Sequence, residues 1–183
     1  MQVEYQEIHR EIIELSRAGN SKAQYQLYKL YSRAMFNICM RMMNNREEAE
    51  DMLQEGFTEA FMKLDSFRFE SAYGAWLKRI IINRCINAIK KKKLDLVSTE
   101  DNPAPDILNE EADYAGIEME VKKVHAAIEQ LPDGYRIILS LYLLEGYDHS
   151  EISQILNITE STSKSQLSRA KLKLKGILKN EAS

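Results

Sequence analysis

The chain has 183 residues, with 25 Lys and Arg against 28 Asp and Glu, a formal net charge of -3 and only seven glycines and three prolines. That balance excludes a protein that coats nucleic acid by bulk charge. No apolar run is long enough to span a bilayer as a helix, which excludes that class too.

The charge is unevenly placed. Residues 1–94 carry 16 basic and 12 acidic side chains, residues 95–117 carry none and 7, and residues 118–183 carry 9 and 9. Two acid-free basic runs stand out: Lys78 to Lys93 with seven Lys and Arg, and Lys164 to Lys179 with six. Apolar residues recur at three- and four-residue spacing almost throughout, so the expected fold class is all-α.

The opening stretch, MQVEYQEIHREIIEL, is charged from the start and does not read as a signal peptide. Cys39 and Cys85 each fall in an apolar helical pattern. They are expected as reduced core thiols of a cytoplasmic protein rather than as a bridge.

The stretch REEAEDMLQEGFTEAFMKLDSF predicts an acidic amphipathic helix. Met52, Leu53, Phe57, Ala60 and Leu64 would face a core, and Glu48, Asp51, Glu55 and Glu59 would share the other side. A metal site is disfavoured because no histidine lies nearby. A solvated face and a docking face for a basic partner both remain.

Next comes FRFESAYGAW, with Phe67, Phe69, Tyr73 and Trp76 close together. Such aromatics beside Arg68 can stack on unpaired bases or fill a small core. Trp76 is expected in the core. Tyr73, beside Ser71 and Gly74 in a loop, is expected to be exposed.

The helix AWLKRIIINRCINAIKKKK turns Leu77, Ile81, Ile82, Cys85, Ile86, Ala88 and Ile89 to one side. Opposite lie Asn83, Asn87 and Lys90, flanked by Arg79, Arg84 and Lys91. Asparagine can pair with adenine through two hydrogen bonds, and the cations suit phosphates.

DLVSTEDNPAPDILNEEADYAG then breaks the pattern with two prolines and strong acidity, the composition of a flexible linker. The expected organisation is a helical domain over 1–94, an acidic linker over 95–117 and a second helical domain over 118–183.

In the second domain, Pro132 suits the first turn of a helix running to Gly146. Asp148 with Glu151 forms a capping-box pattern for the next helix, and Thr159 can cap the helix that starts at Glu160. Two short helices across a tight turn predict a helix-turn-helix. In its second helix Ser163, Leu167, Ala170, Leu174 and Ile177 would pack inward. Ser161, Ser165 and Ser168 would face out, flanked by Lys164, Gln166, Arg169 and Lys171. Short hydroxyls permit close approach, cations fit phosphates, and Gln or Arg can read base edges. A merely solvated helix usually mixes Glu with Lys, and this face does not.

Taken together, AEDMLQEGFTEAFMKLDSF, AYGAWLKRIIINRCINAIKKKK and LPDGYRIILSLYLLEGYDHSEISQILNITESTSKSQLSRAKLKL resemble the extracytoplasmic-function group of RNA polymerase sigma factors of the sigma-70 family. The resemblance covers both domains. It implies that Asp51, Gln54 and Glu55 dock on the clamp helices of the polymerase largest subunit. It implies that the segment with Arg68, Ser71 and Tyr73 captures a flipped base, and that Arg79, Asn83, Arg84, Asn87 and Lys90 read the -10 element. Ser161, Thr162, Lys164, Ser165, Gln166, Ser168, Arg169 and Lys171 would read the -35 element of promoter DNA. An anti-sigma factor is an expected partner, and no cofactor or metal is expected.

Three positions depart from the family pattern: Ser153 where Ala is common, Ser163 where Val is common on the inward stripe, and Gln166 where Arg is frequent. The two hydroxyls can bond back to helix carbonyls. Competing readings are a helix-turn-helix regulator that binds its operator unaided and a helical protein-interaction module. The first lacks a dimerising or effector segment, and the second leaves both acid-free basic faces unexplained. No glycine-rich phosphate loop or nucleophile–base pairing suggests an enzyme.

Overall fold

The computed structural model describes residues 8–96 and 117–181. The chain divides into two compact units, Met1–Val97 and Ser98–Ser183. Most of the expected acidic linker lies outside the described residues. Every regular element among those described is helical, and none of these helices is long and apolar enough to cross a membrane.

Unit 1 holds α1 (Arg10–Arg17), α2 (Ser21–Met43), α3 (Arg46–Met62), a 3-10 turn (Leu64–Ser66) and α4 (Tyr73–Leu96). Asparagine sets both boundaries around α2. The Asn20 side chain accepts from the amides of Lys22 and Ala23, and Asn44 closes the helix in the left-handed region at φ 54°. Asn45 then caps α3 by accepting from the Glu48 amide at 3.0 Å. Helices α2, α3 and α4 pack against one another around Leu27, Ile38, Cys39, Met42, Leu53, Phe57, Leu77, Ile81 and Cys85. Cys39 and Cys85 are free and buried. The hydrogen bond with Cys39 and burial together push the Cys85 thiol far above its ordinary pKa.

Helices α3 and α4 approach closely at Gly56. A Cβ there would be driven into the Ile81 side chain, which is itself fully buried. Beyond this contact the pair is joined by charge. Arg84 of α4 bridges Glu59 and, at 3.4 Å, Glu55 of α3, and Lys92 reaches Glu48 at 2.6 Å. Lys63 completes the cluster on Glu59 at 2.5 Å. The Glu59 carboxyl is held below its ordinary pKa, first by the hydrogen bond from Lys63 and then, against partial burial, by Arg84.

Unit 2 holds α5 (Ile117–Glu129), α6 (Asp133–Leu139), a π turn (Ser140–Leu144), α7 (His149–Leu156) and α8 (Glu160–Glu181). The single helix expected up to Gly146 is therefore corrected. Its last turn widens, with the Glu145 amide donating to the Ser140 carbonyl and the Tyr147 amide to that of Leu141. Ile137, Ile138 and Leu139 of α6 and Ser140 and Leu141 of the π turn are buried, while Leu143 and Leu144 face out. Pro132 stands one residue earlier than expected, as the N-cap of α6. Arg136 is buried and satisfied by the Leu131 carbonyl and by Asp133. The capping box of Asp148 and Glu151 starts α7, Asn157 ends it at φ 55°, and Thr159 caps α8 by accepting from the Thr162 amide.

Two measurements check this packing. Trp76 is the only tryptophan, so intrinsic fluorescence reports unit 1. Gly56→Val is expected to destabilise that unit by about 2 kcal/mol through overpacking, read as a lower denaturant midpoint by fluorescence. Gly176 sits within α8 with open space around its Cα, so Gly176→Ala leaves the fluorescence midpoint unchanged. It stabilises the helix by up to about 1 kcal/mol, seen by circular dichroism.

The second measurement varies pH. A carboxylate whose pKa is lowered by folding stabilises the fold above its unfolded pKa, about 4.3 for Glu, and loses that contribution as pH falls through the folded value. Glu59→Gln should therefore cost stability most above about pH 5, and the gap to the parent chain should close on acidification. A constant gap would show that Glu59 acts through packing alone.

Candidate nucleic-acid and polymerase interfaces

The acidic positions on α3 are displayed as expected. Met52, Leu53, Phe57 and Ala60 are buried, and Asp51, Gln54 and Glu55 are exposed within little more than one turn. Leu64 is buried too, from the 3-10 turn rather than from α3. On α4, Leu77, Ile81, Ile82, Cys85 and Ile86 are buried, while Arg79, Asn83, Asn87 and Lys90 are exposed and Arg84 is half-buried.

Sequence reasoning treated these as two separate faces, and the structure joins them. A groove of about 650 Å³ runs between α3 and α4. Glu48, Asp51 and Glu55 line one wall, and Arg84, Asn87 and Lys92 the other. Arg84, expected to serve DNA, is held by two carboxylates, one of which, Glu55, was expected to serve the polymerase.

The loop before α4 needs a correction. Tyr73 is not exposed: it is the first residue of α4 and fully buried. Its ring packs on Tyr31 at 5.1 Å, Phe67 at 5.6 Å and Trp76 at 5.7 Å between centroids. Four aromatic rings bury more surface together than one displayed ring could, and this burial decides the placement. Burial also raises the phenol pKa well above its ordinary value. Arg68 and Ser71 remain exposed in the same loop.

Two residues of α1 that sequence reasoning missed hold that loop. The Arg17 guanidinium donates to the carbonyls of Phe67 at 2.6 Å and Leu64 at 3.3 Å. Arg10 and Arg17 both lie over the Phe69 ring, at 4.5 and 5.3 Å. Phe69 itself sits at φ 59°, a conformation that costs a bulky residue energy and persists only where its surroundings hold it. Nothing in the sequence signals this, because the partners are about fifty residues apart.

In unit 2 the inward stripe of α8 is as expected. Ser163, Leu167 and Ala170 are buried, and Leu174 and Ile177 are half-buried. Ser161, Lys164, Ser165, Ser168, Arg169 and Lys171 are exposed, while Thr162 and Gln166 are half-buried. Two of the hydroxyls are already engaged. Ser165 donates to the Thr162 carbonyl at 3.0 Å, and Thr162 shares a hydrogen bond with the Thr159 hydroxyl at 2.8 Å. Lys171 leans over the Tyr142 ring, 5.6 Å from its centre. Ser153 bonds back to the Ser150 carbonyl, as its position allowed. Ser163 does not bond back; its hydroxyl meets His149 Nδ1 at 2.8 Å. Among the described residues no group of three or more His, Cys, Asp or Glu is placed to hold a metal ion.

Comparison with known proteins agrees with this architecture. Residues 27–94 match the family model described as Sigma-70 region 2, and residues 122–174 match that described as Sigma-70, region 4. The chain is 30% identical over 176 residues to the ECF RNA polymerase sigma factor SigW of Bacillus subtilis, covering 90% of this chain and 93% of that one. It is 28% identical to the RNA polymerase sigma-H factor of Pseudomonas aeruginosa, over 91% of each. Its fold resembles that of the sigma factor RpoE solved with the anti-sigma factor NepR from Bartonella quintana, with a TM-score of 0.63, 23% identity and coverage of 85% and 96%. It also resembles CnrH solved with the cytosolic domain of CnrY, with a TM-score of 0.54, 21% identity and coverage of 94% and 97%. With region 2 on unit 1, region 4 on unit 2 and relatives matched along nearly their whole length, the chain belongs to the extracytoplasmic-function sigma factors of the sigma-70 family.

Proposed function

We propose a division of labour for this sigma factor. Asp51, Gln54 and Glu55 of α3 dock on the clamp helices of the core polymerase largest subunit. Arg79, Asn83, Arg84, Asn87 and Lys90 of α4, with Arg68 and Ser71 of the loop before it, engage the -10 element and support its opening. Ser161, Thr162, Lys164, Ser165, Gln166, Ser168, Arg169 and Lys171 of α8 engage the -35 duplex. The chemistry of RNA synthesis stays with the polymerase, in the cytoplasm. One solved structure of similar fold holds its sigma factor in complex with an anti-sigma factor, and an anti-sigma factor is the corresponding partner here.

The observation that carries this reading is the α8 surface. A helix with a buried apolar stripe presents Ser161, Lys164, Ser165, Ser168 and Arg169 outward, with no acid after Glu160 until Glu181. A short-side-chain, cationic face on the second helix of a helix-turn-helix is what entry into a major groove requires. Run-off transcription with core polymerase and a genomic promoter library is the direct test. A common -35 and -10 pair among the recovered templates supports the reading, and transcripts without one sink it.

Polymerase docking has its own check. A like-charge contact at an interface costs several kcal/mol, so Asp51→Lys and Glu55→Lys should each weaken capture of core by tenfold or more. Arg84→Ala separates the two roles of Glu55. It removes the internal pair but leaves the carboxylate, and core capture should persist. Loss of capture with Arg84→Ala and not with Asp51→Lys would point to fold rather than docking.

Opening of the -10 element is checked with two templates. Extruding a base costs a few kcal/mol of stacking and pairing. Asn83→Ala should reduce permanganate reactivity of the -10 strand on duplex promoter and much less on a promoter pre-melted there. Arg169→Ala should weaken binding to both alike. Tyr73 is excluded from this series: emptying its buried site would cost about 3–5 kcal/mol and report only on folding.

A further inference from the structure

Ser163 is a polar residue with no exposed surface in the contact between α7 and α8. Ile152 of α7 and Leu167 and Ala170 of α8 are buried as well. Apolar contacts are non-directional, so by themselves they fix the separation of two helices better than their rotation. The 2.8 Å hydrogen bond between Ser163 Oγ and His149 Nδ1 is directional, with its serine end fully buried and its histidine end half-buried.

His149 is held on its other side as well. Its ring stacks on Tyr142 of the π turn, 4.8 Å between centroids and 26° between planes. Tyr142 in turn receives Lys171 of α8. Starting and ending on α8, the chain Ser163–His149–Tyr142–Lys171 therefore brackets about two turns of that helix from α7 and the π turn. The bracket begins between Thr162 and Lys164, both among the residues assigned to the duplex.

We propose that His149 is the positioning residue of the reading helix: through Ser163 and Tyr142 it sets the rotation of α8, and with it the -35 base preference. This rests on the reading of unit 2 as the -35 duplex reader. The geometry makes the sensitivity large. A rotation of about 20° moves an atom at the roughly 5 Å outer radius of a helix by about 2 Å. That displacement breaks a hydrogen bond to a base edge. It changes the distance of a flexible lysine from a phosphate far less consequentially, because that attraction is long-ranged. Base discrimination should therefore depend on the bracket, and general affinity for duplex should not.

The test uses the full chain assembled with core polymerase, on a promoter duplex recovered from the library and on the same duplex with its -35 base pairs scrambled. The parent chain gives the discrimination ratio between the two. Ser163→Ala and His149→Phe each remove the hydrogen bond, and the second keeps a ring against Tyr142. Both should lower the ratio about tenfold, the worth of one good base contact, while affinity for the scrambled duplex and the salt slope stay unchanged. The double variant should lose no more than either single, because both changes break one bond. His149→Asn, whose amide can meet the Ser163 hydroxyl but leaves Tyr142 without a stacked ring, should recover part of the ratio that His149→Phe loses. An unchanged ratio in both single variants overturns the proposal. So does equal loss on cognate and scrambled duplex, the signature of a helix that has merely loosened, or additive loss in the double variant. If the parent chain itself shows no dependence on the -35 base pairs, the reading of unit 2 fails first and this inference falls with it.

Discussion

Close packing of α3 on α4 is the constraint on which unit 1 depends. Gly56 lets the helices approach until the Ile81 side chain fills the space a Cβ would need. At that separation an arginine on one helix reaches carboxylates on the other, and Arg84 meets both Glu55 and Glu59. The charges do little to hold the unit together, since exposed pairs contribute about 0–1 kcal/mol each. Their effect is on placement. They bring the acids of one helix and the amide and basic groups of the next to opposite walls of one groove. The docking and DNA-reading roles assigned to unit 1 therefore share a boundary.

Unit 2 solves a different problem with the same means. Helix α8 is exposed along most of its polar side and anchored along a narrow stripe. The anchoring includes a polar contact at Ser163, a position where an apolar residue would have packed more simply. The bond between Ser163 and His149 trades a little apolar burial for direction.

Much of this was legible in the sequence, because it rests on periodicity and on local capping. The buried arcs of α3 and α4, the inward stripe of α8, the capping box at Asp148 and the cap at Thr159 are all written within a few neighbouring residues. The failures share a cause. Tyr73 looked exposed because it adjoins Ser71, Ala72 and Gly74, whereas its place is decided by Tyr31 and Phe67, which only the tertiary fold supplies. Arg10 and Arg17 carry no local mark of their grip on Phe69. The π turn after Leu139 replaces the last turn of an expected continuous helix, and no short-range pattern in the sequence marks it. Arg84 was placed on the right face of its helix, yet its engagement by Glu55 and Glu59 depends on how near α3 comes.

The two thiols at the centre of unit 1 carry a consequence of their own. Cys39 and Cys85 are fully buried, and hydrogen bonding with Cys39 and burial suppress the thiolate of Cys85. A thiol in that condition is inert to alkylating reagents, since the thiolate is the nucleophile and needs access. Modification then requires the helices to part. The rate at which a small alkylating reagent consumes these cysteines becomes a clock for the opening of unit 1, running inside the intact chain. Any partner that clasps α3 and α4 together would slow that clock without touching either sulfur atom.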